Sequence, residues 1–288
     1  MRVPKRWVWL CCALLAAAAQ GGIVPVVGAA PQERPKIGLA LGGGGARGAA
    51  HVGVLQILER RQVPVDYVAG TSMGAVVGGL YASGMTPDQI EAAIAEIDWD
   101  AILLDDAPRA QRRFRRKNDD YLFLAPTRIG VDDDGKLSPG PALRQGQRLG
   151  AALRRLTLPA RDVRDFDDLP TPFRAIATDA EDGQVVVIGA GDLAQAIRAS
   201  MAIPALFAPV SIEDRVLIDG GLAMNLPIAA VREMGADVVI AVNVSRPRPA
   251  DEVDDLFAML EQVASLVTWR NTQEPVSYTH LTLPTTPY

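Results

Sequence analysis

Three short apolar segments, each followed by glycines directly or after one residue, constrain the fold of this chain more than any other feature of its sequence. They are Lys36–Leu41, Val65–Ala69 and Val216–Ile218. Apolar runs of this length that stop at glycine predict buried strands followed by tight turns. Helical spacing of apolar residues follows the first run, at 51–60, and the stretch 75–83 after the second run is rich in Gly and Ala and is predicted to be a helix from its context. A strand, a helix and a second strand in succession predict a parallel sheet with helices packed against it.

The rest of the chain continues this alternation. Further strands are predicted at 173–178, 185–188 and 238–244. Further helices are predicted at 193–201, 227–234 and 254–269. Another helix is expected to begin where Thr86 can cap, Pro87 fits the first turn and Gln89 can complete a capping box. The sequence therefore predicts an α/β fold of three layers, an α/β/α sandwich with a mainly parallel central sheet and helices on both faces.

Composition places the chain among ordinary globular proteins and argues against nucleic acid as a partner. Its 288 residues are 49% hydrophobic and carry a net charge of −5, whereas nucleic-acid-binding domains are usually basic. The aromatic content of 5% also disfavours platforms for base stacking. The only two cysteines, Cys11 and Cys12, lie in the N-terminal segment, so disulfides are not expected to hold the fold.

The N-terminus has the pattern of a signal peptide. Arg2, Lys5 and Arg6 precede the apolar run 7–19, which is shorter than the roughly 20 residues that a membrane-spanning helix needs. We therefore expect residues 1–29 to direct export to the periplasm, the outer membrane or the medium. An anchor that is never cleaved is the alternative interpretation.

The predicted globular domain spans residues 35–246 and follows a linker at 30–34. Residues 247–275 are expected to form a C-terminal helix or linker. Residues 276–288 are rich in Thr and Pro and have no amphipathic period. They are predicted to be a tail that is foreign to the natural protein.

The second glycine segment, Gly70-Thr71-Ser72-Met73-Gly74, fits the pattern of a nucleophile elbow. In such a turn the serine takes a strained backbone conformation, and the flanking glycines leave room for it. The hydroxyl is lifted out of the sheet and lies at the positive end of the following helix. The pattern predicts Ser72 as a nucleophile, and the alternative is a turn with a bystander serine.

The first glycine segment, Gly43-Gly44-Gly45-Ala46-Arg47-Gly48, has the spacing G-x-G-x-x-G. A dinucleotide-binding fold would need an acidic residue at the end of the second strand, and Asp66 lies at its beginning instead. A phosphate-binding loop would need Gly-Lys-Ser/Thr, which is missing here. The loop is better suited to an oxyanion hole, because backbone N–H groups converge on one oxygen only where side chains are absent. Arg47 either orients this loop and adds positive potential or pairs with a structural carboxylate.

The sequence has two histidines, and neither is expected to act as the base for the serine. His51 begins a helix, which is typical of a packing or capping residue, and His280 lies in the predicted tail. Asp219 is the best remaining candidate, because Gly220 and Gly221 allow a sharp turn that faces the elbow. A carboxylate that is shielded from water and bonded to a hydroxyl can act as a general base. The sequence shows no His/Cys cluster for a metal, and no cofactor is expected.

Together with a third glycine segment, Asp219-Gly220-Gly221, these two segments resemble those of the patatin-like phospholipases in order, type and spacing. The resemblance runs from about Pro35 to Val244 and includes 196–204, which looks like the family's segment before its aspartate motif. It implies a Ser–Asp dyad that cleaves acyl esters of phospholipids or other acyl lipids at a membrane surface, through an acyl-enzyme and without a metal. At matching positions Ser72 is the nucleophile, Asp219 is the base, and the first glycine segment is the oxyanion hole.

Two other functions use the same residues differently. An acyltransferase would pass the acyl group from the elbow to an alcohol or a thiol. A non-catalytic passenger module would resemble exported proteins in which a patatin domain precedes a linking domain and an outer-membrane barrel. A basic run at 112–117 could contact anionic headgroups, but a solvated loop is the favoured interpretation.

Overall fold

The computed structural model describes residues 34–104, 129–131, 137–139, 145–204, 206–246 and 256–276. Its strands are β1 (Ile37–Leu41), β2 (Tyr67–Thr71), β3 (Ile129–Val131), β4 (Leu137–Pro139), β5 (Phe173–Asp179), β6 (Val185–Ile188), β7 (Val210–Ile212), β8 (Arg215–Asp219) and β9 (Val238–Val242). Seven strands form one sheet in the order β7-β8-β5-β2-β1-β9, with β6 also paired to β5. The four strands β5, β2, β1 and β9 are parallel, and β6, β7 and β8 add antiparallel pairs.

Helices follow the strands along the chain. They are α1 (Ala50–Arg60), α2 (Met73–Ala82), α3 (Pro87–Ala95), α4 (Trp99–Leu104), α5 (Gln147–Leu156), α6 (Leu193–Ser200), α7 (Ile228–Glu233) and α8 (Leu256–Val276). Two short 3-10 turns matter for the site, Gly45–Ala49 after β1 and Gly220–Leu222 after β8. Each of these turns follows the carboxyl end of a strand, β1 in the first case and β8 in the second.

Alternate residues of the central strands face two separate cores. In β1, Leu39 and Leu41 belong to a large cluster that includes buried side chains of α1 to α6. The residue between them, Ala40, belongs to a smaller cluster with Ile228 and Val231. Side chains of a strand alternate between the faces of a sheet, so helices cover both faces. The predicted three-layer α/β/α architecture is confirmed.

The carboxyl ends of β2 and β8 meet on one edge of β5. Strand β2 runs parallel to β5 with Thr71 opposite Ile176, and β8 runs antiparallel to β5 with Asp219 opposite Ala177. Strand β6 occupies the other edge of β5 over the same stretch. The carboxyl ends of β2 and β8 therefore point toward each other, and Ser72 lies next to Asp219 although 147 positions separate them in the sequence.

The predicted alternation of strands and helices is confirmed, and most boundaries differ by one to three residues. The capping box is present as predicted: the Thr86 hydroxyl accepts from the Gln89 N–H at 3.3 Å, and Gln89 Oε1 accepts from the Thr86 N–H at 2.9 Å. The elements that sequence analysis did not predict are α4, α5, β3, β4 and β7. The three missed strands have only three residues each, too few to show a clear period-2 pattern.

The C-terminal helix α8 begins at Leu256 and extends to Val276, beyond the predicted end at 269. No helix among the described residues is both long enough and apolar enough to cross a bilayer. Four predicted segments lie wholly or almost wholly outside the described residues. They are the signal peptide 1–29, the linker 30–34 except Arg34, the basic run 112–117 and the tail 276–288 except Val276. The predicted start of the tail is wrong by one residue, because Val276 is the last residue of α8.

Candidate active site

Ser72 lies at the sharp turn between β2 and α2 in a left-handed backbone conformation. Its φ is 54° and its ψ is −122°, which costs a residue with a side chain about 1–3 kcal/mol. A Cβ at Gly70 would overlap the backbone of Gly74, and a Cβ at Gly74 would overlap the carbonyl of Leu41. The N–H of Ser72 donates to Ser200 Oγ at 2.8 Å. The two glycines and this hydrogen bond hold the strained turn in place.

The residues on either side of Ser72 tie the elbow to the other glycine segments. Thr71 Oγ1 donates to the carbonyl of Met224 at 2.9 Å, just beyond the turn that follows β8. The side chain of Met73 packs directly against Gly48, where a Cβ would overlap it. The elbow, the first glycine segment and the chain after Asp219 therefore form one packed unit.

Asp219 ends β8 and contacts the serine directly. The Ser72 hydroxyl donates to Asp219 Oδ2 at 2.7 Å, and the Gly221 N–H donates to Asp219 Oδ1 at 2.8 Å. The Thr178 hydroxyl donates to the Asp219 carbonyl at 2.9 Å and holds the backbone at this position. A Cβ at Gly220 would overlap the backbone of β5. Both carboxylate oxygens of Asp219 are thus oriented by hydrogen bonds.

Burial raises the pKa of Asp219 from its ordinary value of 3.8 to about 6. Loss of hydration is the largest cause, because it disfavours the charged form. Hydrogen bonds from the Ser72 hydroxyl and the Gly221 N–H act in the opposite direction and lower the pKa. A carboxylate with a pKa of about 6 is ionised at neutral pH and is a stronger base than an ordinary aspartate. It can therefore bind the serine hydroxyl and accept its proton.

Ser72 and Asp219 open into a pocket of about 140 Å³. Its other walls come from the first glycine segment, the chain around residues 203 and 245, the turn after β8, and α8. The remaining lining residues are Gly43, Gly44, Gly45, Arg47, Ile203, Pro204, Leu222, Asn225, Ser245, Arg246, Ser265 and Thr268. Of the six residues predicted to form an oxyanion hole, Ala46 and Gly48 do not line this pocket.

The N–H groups of the first glycine segment are not equivalent. The Gly43 N–H donates to the Asn225 carbonyl at 3.2 Å, and the Arg47 N–H donates to the Gly44 carbonyl at 3.3 Å. For the N–H groups of Gly44 and Gly45, no acceptor is found among the described residues. An oxyanion hole on this loop would therefore use Gly44 and Gly45, since the other two donors that line the pocket are already bonded.

The Arg47 side chain holds the glycine loop against the chain that follows β9. Its guanidinium donates to the carbonyl of Val244 at 3.2 Å and to the carbonyl of Arg246 at 2.9 Å. Of the two roles that the sequence left open, these contacts favour orienting the loop over pairing with a structural carboxylate.

His51 braces the same loop from inside the protein. It is fully buried, and its Nε2 donates to the Gly42 carbonyl at 2.7 Å. Loss of hydration lowers the pKa of His51, and the bond to the Gly42 carbonyl raises it to a smaller extent. Burial thus favours the neutral form of the imidazole, and His51 is not among the residues that line the pocket. These contacts agree with the predicted packing role.

Sequence analysis missed several polar residues of the site, and two of them bond the glycine segments directly. Ser200 ends α6 and accepts the backbone N–H of Ser72. Asn225 is fully buried and lines the pocket. A signal for Asn225 was available, because it is a lone amide in the apolar stretch 222–227 and buried amides need hydrogen-bond partners. Ser200 lies in the stretch 196–204 that was noted only for its resemblance.

Helix α8 forms one wall of the site, which the sequence did not predict. Ser265 and Thr268 line the pocket. The side-chain amide of Asn271 donates to the carbonyl of Leu222, and the buried Thr272 hydroxyl accepts from Asn225. The polar side of this helix therefore closes the pocket over the turn after β8.

The arrangement contains the parts that acyl transfer to a serine requires. A hydroxyl is bonded to a buried carboxylate of raised pKa, and unbonded backbone N–H groups line the same pocket. Within the described part of the chain, no group of three or more His, Cys, Asp or Glu side chains could hold a metal ion.

Known proteins provide an independent comparison. The family model described as patatin-like phospholipase matches residues 39–232. An uncharacterised NTE family protein of Mycobacterium tuberculosis is 35% identical over 222 residues, which cover 76% of this chain and 52% of that protein. Lysophospholipase NTE1 of Mycosarcoma maydis is 33% identical over 208 residues, which cover 72% of this chain and 10% of that protein. Among solved structures, VipD from Legionella pneumophila has a TM-score of 0.41 and 18% identity, covering 68% of this chain and 47% of that one.

The matched range contains all three glycine segments and most of the elements that build the site. The chain spans about half the length of the mycobacterial relative and a much smaller share of the fungal one. The family match covers well over half of this chain, and the strand order places the matched motifs around one pocket. The chain therefore belongs to the patatin-like phospholipase family.

Proposed function

We propose that the chain is a serine lipid acyl hydrolase of the phospholipase A type, acting on phospholipids or lysophospholipids. The observation that carries this proposal is the 2.7 Å hydrogen bond between Ser72 Oγ and Asp219 Oδ2, in a pocket that the first glycine segment also lines. Membership of the patatin-like phospholipase family supports a lipid ester as the substrate. The printed name of the fungal relative, a lysophospholipase, supports the inclusion of single-chain substrates.

In the first half of the reaction, Asp219 accepts the proton of the Ser72 hydroxyl. The serine oxygen attacks the carbonyl carbon of the ester, and a tetrahedral intermediate forms. The bond to the alcohol then breaks, and Asp219 returns the proton to the leaving oxygen. The acyl group remains on Ser72 as an ester.

The negative charge on the substrate oxygen needs donors that are already in position. The N–H groups of Gly44 and Gly45 are the proposed donors, because both residues line the pocket and neither N–H has an acceptor among the described residues. Fixed donors of this kind are worth about 10²–10³ in rate each. The Arg47 and His51 contacts hold the loop and so keep these donors in place.

In the second half, Asp219 accepts a proton from water, and the water oxygen attacks the acyl carbon. The bond to Ser72 breaks, the serine recovers a proton, and a fatty acid leaves. This dyad needs no histidine, because burial gives Asp219 a pKa of about 6, close to that of a free imidazole.

The test is hydrolysis of p-nitrophenyl acyl esters and of a lysophospholipid by the full chain. We expect kcat/KM to fall by a factor of at least about 10³ in Ser72→Ala and in Asp219→Asn. The first variant lacks the proposed nucleophile, and the second lacks the proposed base. A fluorophosphonate is expected to label the wild type and to leave Ser72→Ala unlabelled. Turnover that survives in Ser72→Ala would refute the assignment.

Matched substitutions at the protein surface control for effects of the residue change that do not involve the site. Ser211 and Asp214 are exposed residues in or beside strands β7 and β8. Ser211→Ala and Asp214→Asn therefore change the same residue types without touching the pocket. Both are expected to keep the activity of the wild type.

We also propose that residues 1–29 direct export of the domain, from the charge and apolar pattern of that segment. Fractionation of cells that express the chain with and without residues 1–29 tests this proposal. Recovery of both forms in the cytoplasm would contradict it. The linking domain and outer-membrane barrel suggested by the resemblance stay a prediction, as does the contact with a membrane surface.

A further inference from the structure

Two arginines, Arg47 and Arg246, line the pocket that holds Ser72 and Asp219. Among the described residues that line it, Asp219 is the only acidic one. Both guanidinium groups are charged at any pH at which the protein is folded. The lining therefore has an excess of positive charge, and a concave site of this kind attracts an anionic group of a ligand.

The two arginines differ in what their side chains already bond. The Arg47 guanidinium donates to the carbonyls of Val244 and Arg246. Arg246 is exposed, and its guanidinium makes no hydrogen bond or ion pair with any described residue. A guanidinium has five N–H donors in a planar arrangement that matches the oxygens of a phosphate. Arg246 therefore has a full set of donors available for a ligand.

The backbone of Arg246 is held close to Gly44, a proposed oxyanion donor. A Cβ at Gly44 would lie 2.7 Å from Val244 Cγ2 and 3.0 Å from the Val244 carbonyl oxygen, so this segment packs against the glycine loop. The backbone N–H and the hydroxyl of Ser245 both donate to Asn243 Oδ1, at 2.9 and 2.6 Å. The Arg246 side chain therefore starts from a fixed position beside the place where an ester carbonyl would bind.

Another wall of the pocket is apolar. Ile203 and Pro204 follow α6, and Leu222 belongs to the turn after β8. The Asp219 N–H donates to the Ala202 carbonyl at 2.9 Å, so this wall is attached to the strand that ends in the carboxylate. The pocket thus has an apolar wall and a basic wall. An acyl ester whose alcohol part has a phosphate group contains the same two kinds of surface.

We propose that Arg246 binds the phosphate group of the substrate and so directs the enzyme to phospholipids and lysophospholipids over neutral acyl glycerols. Its guanidinium donates to the non-ester oxygens of the phosphate, while the N–H groups of Gly44 and Gly45 bind the ester carbonyl. Arg246 is then a specificity-determining residue that takes no part in the bond changes. This inference rests on the proposed function and concerns the same pocket.

The experiment compares two substrates that have the same acyl chain, octanoyl-lysophosphatidylcholine and monooctanoylglycerol. Both are given to the full chain as dissolved monomers, so that binding to a lipid surface does not contribute. The release of octanoic acid gives kcat/KM for each substrate. The quantity to compare is the value for the lysophospholipid divided by the value for the acyl glycerol, because this substrate ratio is independent of the fraction of active protein.

Arg246→Gln removes the charge and keeps a long polar side chain. We expect the substrate ratio to fall about tenfold, which corresponds to the loss of one charge-assisted hydrogen bond of about 1.4 kcal/mol. Arg246→Lys keeps the charge and loses the planar set of donors, and a smaller fall of about threefold is expected. An unchanged ratio in Arg246→Gln would overturn the proposal. An equal loss with both substrates would also overturn it, because Arg246 would then only hold the loop.

Arg232→Gln is the matched control. Arg232 is exposed on α7 and does not line the pocket, so its substitution makes the same change in net charge away from the site. We expect its substrate ratio to stay within about twofold of the wild type, since water and salt screen exposed charges. A fall equal to that of Arg246→Gln would assign the effect to overall charge and overturn the proposal.

Inorganic phosphate distinguishes a headgroup from a free anion as the ligand. If it inhibited hydrolysis of both substrates, and if Arg246→Gln lost this inhibition but kept the wild-type substrate ratio, Arg246 would be a site for free phosphate and the proposal would be overturned. A wild type that hydrolyses neither substrate would instead refute the proposed function.

Discussion

Asp219→Asn is expected to make the protein more stable at neutral pH while it removes activity. In the folded protein the pKa of Asp219 is about 6, against an ordinary value of 3.8. At about 1.4 kcal/mol for each tenfold change in proton affinity, keeping this carboxylate ionised in the fold costs about 3 kcal/mol. Asparagine has no charge to desolvate, and its amide can still bond the Ser72 oxygen and the Gly221 N–H.

The sign of this effect depends on pH. Below about pH 4 the carboxyl group is protonated in both the folded and the unfolded protein, so its ionisation contributes nothing to the difference between the two variants. Between about pH 4 and 6 the unfolded chain loses its proton first, and the folded state binds more protons. Stability of the wild type therefore falls relative to Asp219→Asn as pH rises through this range. Above about pH 6 the difference reaches its full value.

Urea unfolding of both proteins at several pH values between 4 and 8 measures this difference. Because other groups titrate equally in both proteins, the quantity to compare is the free energy of unfolding of the variant minus that of the wild type. Asp214→Asn changes an exposed carboxylate between β7 and β8 and is the control for the change of residue type. A difference that stays constant from pH 4 to 8 would refute the reasoning.

Two further predictions follow from the same contacts. The value of kcat/KM for an acyl ester is expected to rise with pH and to level off above an apparent pKa of about 6, because Asp219 must be ionised to accept the Ser72 proton; a pH–rate profile that stays flat down to pH 4 would contradict this. Ser200→Ala removes the acceptor of the buried Ser72 N–H and is expected to lower the free energy of unfolding by about 1–3 kcal/mol. Urea unfolding with Ser211→Ala as the exposed control measures it, and an unchanged stability would contradict the importance of that hydrogen bond.

Local chemistry explains why much of the fold could be predicted from the sequence. The apolar runs before the first two glycine segments form β1 and β2, which are buried in the parallel part of the sheet, so they appear as continuous apolar stretches. Thr86, Pro87 and Gln89 determine a helix start within four residues, and that start is where the structure has it. The elbow is readable because Gly70 and Gly74 are required by contacts that no other residue type would allow.

The parts that could not be predicted depend on distant contacts. The role of α8 depends on where the helix packs, and its apolar pattern gives no face that points to the pocket. The oxyanion-hole donors of the glycine loop are another case. By sequence all six residues from 43 to 48 could provide a backbone N–H, but the N–H groups of Gly43 and Arg47 donate to the carbonyls of Asn225 and Gly44. Sequence spacing shows which N–H groups exist, and only the packed structure shows which remain available.

Sheet topology explains how two residues so far apart in the chain come into contact and can form the proposed dyad. Strand β8 meets the end of β2 on the same edge of β5, so the carboxylate reaches the serine hydroxyl without an intervening ring. Burial then raises the pKa of Asp219 to about 6 and so provides basicity that an exposed aspartate would lack. The pairing of Asp219 with Ala177 is critical for both effects, because a slip of one residue would turn the carboxylate to the opposite face of the sheet. The register of one short antiparallel strand therefore decides whether Asp219 contacts Ser72.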